Sequence, residues 1–494
     1  MLIIFSDTVR GYPRFIACDT VTMNLINSYA NLPEVFYSPV RTAPAPEAEL
    51  IAWNHELAAH LGLDGLDSNR EKLTTIFSGS EPLPGGKTIA LAYAGHQFGN
   101  FVPQLGDGRA ALLGEVISPV DGGRYDIQLK GSGQTPYSRR GDGKSSLGPV
   151  LREYLLSEAM HRLGVPTTRA LAAVSTGETV YRDKMEPGGV LTRVASSHVR
   201  VGTFQYFAAR DQRAALKQLT DYAIARHYPD AASAEKPVIA FYAEVVQAQA
   251  TLIAHWMAHG FIHGVMNTDN CAISGETLDY GPCAFMDEFD INKVFSSIDR
   301  MGRYAYGQQA SIAQWNLARL AECLMLLEGE KEDYEGALER FQPRFEEEYF
   351  GRMRAKLGLA GNDEGDSGLV TAWLQHLQDH QLDYTLSFRQ LGERLDREKT
   401  PLFGEFETRW LARLDTQPGG RQTAADQMAR VNPVVIPRNH QVERAIRAAF
   451  EADFSVFHEL RKVLAEPFTR QEGLDHYSQP PGDHERVEVT FCGT

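Results

Sequence analysis

Between residues 88 and 130 the chain carries three short apolar or alternating runs, "IALAYAG", "AALLGEVI" and "YDIQLKG", cut apart by glycine turns. This stretch constrains the fold most, because runs of that length and spacing read as antiparallel strands and the chain turns helical only after them. From 145 onward, "SSLGPVLREYLLSEAMHRLG" places Leu147, Val150, Leu151, Tyr154 and Leu155 at helical spacing, with serines in front as caps and Gly164 behind. Residues 211–260 read as two helices broken near "HYPDAASAEKP", the second ending at Gly260. Beyond about residue 308 the pattern is mostly helical, with "GNDEGDSG" as a surface loop. Upstream, the Pro/Ala connector "RTAPAPEAEL" leads into an expected amphipathic helix near 47–61. The expected class is α+β.

A chain of 494 residues, 43% hydrophobic and 23% charged, can bury a large core and divide it among two or three domains. No internal repeat or long low-complexity run appears. The net charge of -15 argues against nucleic acid as the main partner, since phosphate backbones are gripped by clustered Lys and Arg. Five cysteines (Cys18, Cys271, Cys283, Cys323 and Cys492) form no CxxC pair and no zinc spacing, which favours a reducing cytoplasm. No stretch reaches the roughly 18 apolar residues a membrane span requires, so no membrane partner is expected. The opening "MLIIF" is too short for a signal-peptide core and lacks a basic segment before it. Ordered structure is expected from Met23, leaving residues 1–22 as an extension or a mis-assigned start.

The chemistry-bearing residues come in a telling order. The hairpin "QLGDGRAALLGEV" holds Gly106 and Gly108, Lys130 ends the strand "YDIQLK", and Glu153 follows on the next helix. A strand lysine held by a helix glutamate is how kinase-like folds aim an ammonium at nucleotide phosphates. Each feature alone has a plainer account, a turn, a surface lysine or a solvated glutamate; the order of parts is what points to a nucleotide site. After a long helix comes "HGVMNTDNCAISGETLDYG", His263 to Gly281. Kinase catalytic loops read H-R-D-L-x-x-x-N and are followed by D-F-G. In that frame Asn270 fills the metal-binding amide position and Asp279, in "LDYG", the metal-binding carboxylate position, both hard oxygen donors suited to magnesium. The position of the catalytic aspartate, however, holds Val265, and Asp269 is the only carboxylate within the loop.

Three look-alike motifs fail on inspection. "RGDGKSS" resembles the end of a P-loop, but Ser138 stands where its first glycine is required. His255, His259 and His263 recur every four residues, but Gly260 interrupts the helix and the glutamate of HExxH is absent, so packing and loop-anchoring roles are expected. Gly131–Gly133, "GSG", lacks the strand-to-helix context of a dinucleotide fold.

Taken together, "YAGHQFGNFVPQLGDGRA", "DIQLKGSGQTPYSRRGDGKSSLGPVLREYL", "HGVMNTDN", "DYGP" and "NPVVIPRNHQVERAI" resemble the selenoprotein O family, whose bacterial branch is called the YdiU group. The likeness runs from about residue 29 to the C-terminus. It implies a kinase-like two-lobed fold in which ATP lies inverted, so that AMP passes to protein hydroxyls; uridylylation is also assigned to members. Carried over by position, it implies nucleotide contacts at Gly106, Gly108, Arg109, Lys130, Asp142, Gly143, Arg193 and Arg200, with Asp279, and metal ligands at Asn270 and Asp279 for Mg2+ or Mn2+. An inverted nucleotide brings the attacking hydroxyl in from elsewhere, so the valine is tolerated and Asp269 becomes the candidate base. Many members carry a cysteine shortly after the metal aspartate; here "FSSIDRMGRY" has Ser296, although Cys492 stands third from the C-terminus, where some members have selenocysteine.

These readings divide the chain into an N-terminal extension (1–85), a nucleotide-binding region like a kinase N-lobe (86–210), a catalytic region like a C-lobe (211–330) and a helical extension (331–494). The expected activity is a metal-dependent protein adenylyltransferase using ATP, with Lys130, Glu153 and Asp269 as its working residues and proteins bearing hydroxyl side chains as acceptors. UMP transfer from UTP, a conventional kinase with Asp269 as base, and a non-catalytic ATP-binding module stay open.

Overall fold

The computed structural model describes residues 25–395 and 403–490. Its N-terminal half is built on an eight-stranded sheet in which every pairing is antiparallel. Along the main path the strand order is Tyr37–Pro39, Ile89–Leu91, Ala110–Ile117, Arg124–Lys130, Met185–Ala195, Arg169–Tyr181 and Glu49–Trp53. The rest of the described chain is mostly helical, so the molecule is a mixed α+β protein with its sheet in one half and most of its helices in the other.

The strand "RYDIQLK" (Arg124–Lys130) explains how one short sequence serves two sides of the sheet. Side chains alternate in a strand, so Tyr125, Ile127 and Leu129 share one face and Asp126, Gln128 and Lys130 the other. Ile127 and Leu129 are fully buried in a small core with Leu50, Trp53, Leu57 and Phe77. The opposite face receives Arg193, because Arg193 lies directly opposite Gln128 on the neighbouring strand. Pairing register therefore delivers Lys130 and Arg193 to the same side.

The long helix after this strand, Leu147–Arg162, crosses that polar face and carries Glu153. Its start departs from expectation. Ser146 makes no side-chain capping bond, because Ser145 and Ser146 pair as a two-residue strand with Gly189 and Gly188. Gly164 does follow the last turn in the left-handed region, φ 77°.

The expected helix at 47–61 is corrected. Glu49–Trp53 is a strand at the end of the sheet order, opposite Ala172–Ser175, and only His55–His60 is helical. Asn54 decides the boundary: its side chain accepts from the Leu57 N–H and starts the helix there. Leu50 to Trp53 are all buried, a run that suits a strand covered on both faces.

In the helical half, Pro237–Ala258 is the central element, packed against Gln309–Leu324, Lys331–Leu338 and Phe341–Lys356. Contrary to the sequence expectation, this helix is long and apolar enough by length and composition to cross a membrane. Half of its apolar window is buried within the protein, with Phe241, Tyr242, Val245, Val246 and Ile253 in the main core. The expected "GNDEGDSG" loop is one only up to Gly365, since Asp366 opens the next helix and is buried against Arg413. Two later helices, Asn439–Phe450 and Ser455–Leu464, pack back onto Leu147–Arg162 and brace it from behind.

Candidate active site

Where the polar face of the sheet meets the helix and the segment "LDYG", four charged side chains interlock. Lys130 Nζ lies 2.7 Å from Glu153 Oε2 and 2.8 Å from Asp279 Oδ1. Arg193 forks between the same two acids, its Nε donating to Glu153 and its Nη2 to Asp279. Arg200 approaches from the next segment, 3.9 Å from Asp279 Oδ2 and 3.9 Å from Asp107 Oδ1. Glu153, Lys130, Arg193 and Arg200 are buried, whereas the Asp279 side chain is about a quarter exposed. Burial opposes ionisation of Asp279, but Arg193, Lys130 and Arg200 overcome it and hold the carboxyl well below the usual range. Glu153 is lowered for the same reason, burial again being outweighed by Arg193 and Lys130.

The backbone marks Asp279 as unusual. Its φ is 67°, a left-handed conformation that a non-glycine residue adopts at a cost and that clusters at functional sites. The surroundings hold it there: His263 Nε2 donates to the carbonyl of Leu278 next door (3.0 Å), while His263 Nδ1 accepts from Val265 N–H (3.3 Å). That pattern fixes a neutral imidazole, and burial pushes its pKa down. The side chain stacks on Trp256. His255 and His259 are likewise driven down to about 3 by burial. Among the described residues no group of three or more His, Cys, Asp or Glu is placed to hold a metal.

The loop between them is held from both sides. Val265 is buried, and its carbonyl accepts from Asn270 Nδ2 at 3.0 Å, which leaves the Asn270 amide oxygen as the end that can meet a cation. Asp269 is buried too. Its Oδ2 receives a long bond from Gln97 Nε2 (3.4 Å) and its Oδ1 has no hydrogen-bond partner. Burial raises its pKa to about 6, against the lowering pull of Arg200. A carboxylate with an unused oxygen and a pKa near neutrality is equipped to accept a proton.

Arg200 ties the two halves of the site together. Its Nη1 donates to the carbonyl of Asp269 (2.9 Å), its Nε to that of His198 (3.2 Å), and its guanidinium lies 4.3 Å from the centre of the Tyr93 ring. The remaining positions singled out from sequence lie on the hairpin and on the loop after Lys130. A side chain at Gly106 or Gly108 would run into Tyr137, so both glycines are required by close packing of the hairpin on that loop. Arg109 accepts through its carbonyl from Gly131 N–H. Asp142 is drawn to Arg182 (2.9 Å), and Gly143 is pressed against Gly133 in a left-handed conformation. Asp107, between the glycines, points inward and accepts from Leu91 N–H and Gln128 Nε2.

Sequence reasoning assigned no role to the hairpin Gly95–Gln97/Asn100–Val102, which lies over the loop. His96 N–H donates to Thr268 Oγ1 (2.7 Å) and Phe98 N–H to Asn267 Oδ1 (3.1 Å). A β-carbon at Gly95 would come within 2.6 Å of Asp269 Oδ1, so "YAGHQ" needs its glycine to admit the carboxylate. The C-terminal motif also has its function visible: Asn439 Oδ1 accepts from Arg152 (2.7 Å), and Arg438 pairs with Asp287 and Asp383 behind the Asp279 segment. Ser296 is buried and bridged to Thr490, so Thr490 lies beside the segment that follows Asp279. Cys18 and Cys492 lie outside the described residues; Cys271 and Cys323 are buried free thiols, and Cys283 is buried.

Comparison with known proteins places this geometry in context. A family model described as "Protein adenylyltransferase SelO" matches residues 19–465. A protein named "Protein nucleotidyltransferase YdiU" from Rhodopseudomonas palustris (strain BisB5) is 52% identical over 492 residues, covering 96% of this chain and 100% of the relative. One of the same name from Agrobacterium fabrum (strain C58 / ATCC 33970) is 52% identical over 487 residues, with 96% and 100% covered.

Proposed function

The chain belongs to the SelO family and is a protein nucleotidyltransferase, an enzyme, and from that premise we propose that it moves AMP from ATP to Ser, Thr or Tyr hydroxyls of proteins. In this reading the fold is kinase-like and the nucleotide lies reversed in it. The observation that carries the proposal is the pairing of a buried Val265 with Asp269, a buried carboxylate that keeps one oxygen unpartnered. A kinase needs its base at the valine's place; here the only carboxylate in the loop sits four positions later.

The residues divide the work by their chemistry. Asp269 accepts the proton of the acceptor hydroxyl as its oxygen attacks the α-phosphorus; the bond from that phosphorus to the bridging oxygen breaks, and pyrophosphate leaves. Lys130, Arg193 and Arg200 supply donors for phosphate oxygens, the two arginines as planar forks. Glu153 holds Lys130 and Arg193 in place. Gly106, Gly108, Arg109, Asp142 and Gly143 are assigned to nucleotide contact. Asn270, through its amide oxygen, and Asp279, through the carboxylate oxygen farther from Lys130, offer the hard oxygen donors that Mg2+ prefers. When bound, the cation neutralises phosphate charge.

ATP labelled separately at the α and γ positions tests the assignment. Label from the α position is expected on protein and label from the γ position is not. Transfer of γ label alone would replace the adenylyltransferase reading with a kinase one.

A further inference from the structure

A second hollow lies away from the charged cluster, between the C-terminal halves of the Leu147–Arg162 and Ser455–Leu464 helices and the strand end at Trp53. Its volume is about 300 Å³, the lower end of the range for small-molecule sites. The helix that carries Glu153 turns another face to it: Tyr154, Leu155, Glu158, Ala159 and Arg162 recur at the spacing of one helical stripe. Trp53, Leu155, Ala159 and Leu464, all buried, give it an apolar floor.

The charge around that floor is one-sided. Arg162, Arg461 and Lys462 stand at the hollow, and among the described residues that line it Glu158 is the one acid. Glu158 is already satisfied: Oε1 accepts from Arg169 Nε (2.8 Å) and Ala170 N–H (2.9 Å), and Oε2 from Arg169 Nη2 (2.8 Å) and Asn54 Nδ2 (2.8 Å). Arg162 is paired with Glu56 outside the hollow. Among the described residues neither Arg461 nor Lys462 belongs to an ion pair; Arg461 lies near the hydroxyl of Tyr154 and beside His458. Cations in the last turn of a helix are favoured by its dipole. The dipole does not require them to converge with Arg162 over an apolar hollow.

We propose that this hollow is a binding site for a small organic anion with an apolar body, its hydrocarbon part on Trp53, Leu155 and Leu464 and its charged group at Arg461 and Lys462. The site is separate from the nucleotide site and does not depend on the reaction proposed above. Its ligand would touch the same helix that positions Glu153, from the other side.

Isothermal titration of the full chain with naphthalene-1-sulfonate tests the proposal, with sodium sulfate and the neutral 1-naphthalenemethanol as the two halves of the chemistry. The sulfonate is expected to bind at one site, at least about tenfold more tightly than either half. Lys462 is exposed, so Lys462→Glu should leave the fold and its melting temperature unchanged while weakening the sulfonate at least about tenfold. Ala465→Trp, which fills the hollow from its rim, should remove binding. Absence of binding at millimolar sulfonate, or an affinity unchanged in both variants, would overturn the assignment.

Discussion

Two buried charge networks occupy the two ends of one strand face, and they differ in ways that ion pairing alone would not reveal. At the Lys130 end lies the cluster with Glu153, Arg193 and Asp279. At the Asp126 end, Arg226 lies 2.6 Å from Asp126 and 3.3 Å from Glu115, all three nearly inaccessible to solvent. Every acid there has further donors: Asp126 accepts from His198 N–H and Nδ1, and Glu115 from Ser28 Oγ and Tyr29 N–H. At the Lys130 end the network opens to solvent at Asp279, whose backbone is strained, and continues to Asp269, which has an oxygen to spare. A network whose acids are all satisfied holds a fold together, even with His198 Nε2 left without a partner; an open one with strain and an unused carboxylate oxygen is prepared to meet something else. A buried salt bridge is therefore not by itself a sign of function.

The largest expected effect separates the two networks directly. Asp279→Ala should leave the fold standing, because Lys130 and Arg193 keep Glu153, yet lower α-label transfer by about a thousandfold or more, several kcal/mol of lost charge stabilisation. Normal melting with near-wild-type transfer would take Asp279 out of the site. Arg226→Ala should do the opposite. It strands Asp126 and Glu115 without their buried cation, which costs about 3–5 kcal/mol of stability, read as a loss in denaturant midpoint, while transfer per folded molecule persists. Loss of transfer in a stably folded Arg226→Ala protein would erase the distinction.

These two networks were not equally legible in the sequence. Lys130, Glu153, Asn270 and Asp279 stand in an order that a known mechanism gives meaning to, so the candidate cluster was readable before any coordinates. Asp126 and Arg226 are 100 positions apart with no motif between them, and only the strand register and the packing of a later helix bring them together. The same applies to the Gly95–Gln97 hairpin, which closes over a loop some 170 residues away in the chain. The strands at 110–117 and 124–130 showed themselves through alternation, whereas "ELIAW" resembled a helix because an apolar run buried on both sides has no period to read. Local order was legible, and with it the Lys130–Glu153 pairing that the order of parts implied; partnerships with no motif behind them were not.

A smaller effect tests whether Glu153 belongs to the open network as a positioning residue. It binds both Lys130 and Arg193, so it should act through them. Losing Glu153 and Lys130 together should then cost little more than losing Lys130 alone, with a coupling of about 1–3 kcal/mol in a double-mutant cycle on transfer rate. Strictly additive losses would separate the two and place Glu153 among the scaffold residues, alongside Glu115.

The smallest expected effect is a slope with pH, and it sets the two networks against each other most finely. Asp269, with a pKa raised to about 6 chiefly by burial and modulated by Arg200, Gln97 and Asp279, works as a base only when ionised. Transfer should therefore fall about tenfold per pH unit below 6. The fold has no reason to fail over that range on account of this residue: a carboxyl raised in the native state binds more protons there than when unfolded, so at this position acidification from pH 6 favours folding. Asp126 has the opposite sign. Burial raises it, but Arg226 and His198 win and its pKa is lowered, so its contribution to stability is present above the unfolded value of about 3.9 and is lost as pH falls through the lower native value. Between pH 6 and pH 5 activity should decline while melting temperature holds, and Asp269→Asn should remove both the activity and the inflection. A flat rate profile from pH 5 to pH 8, with Asp269→Asn retaining transfer, would move Asp269 into the scaffold and leave the open network without its base.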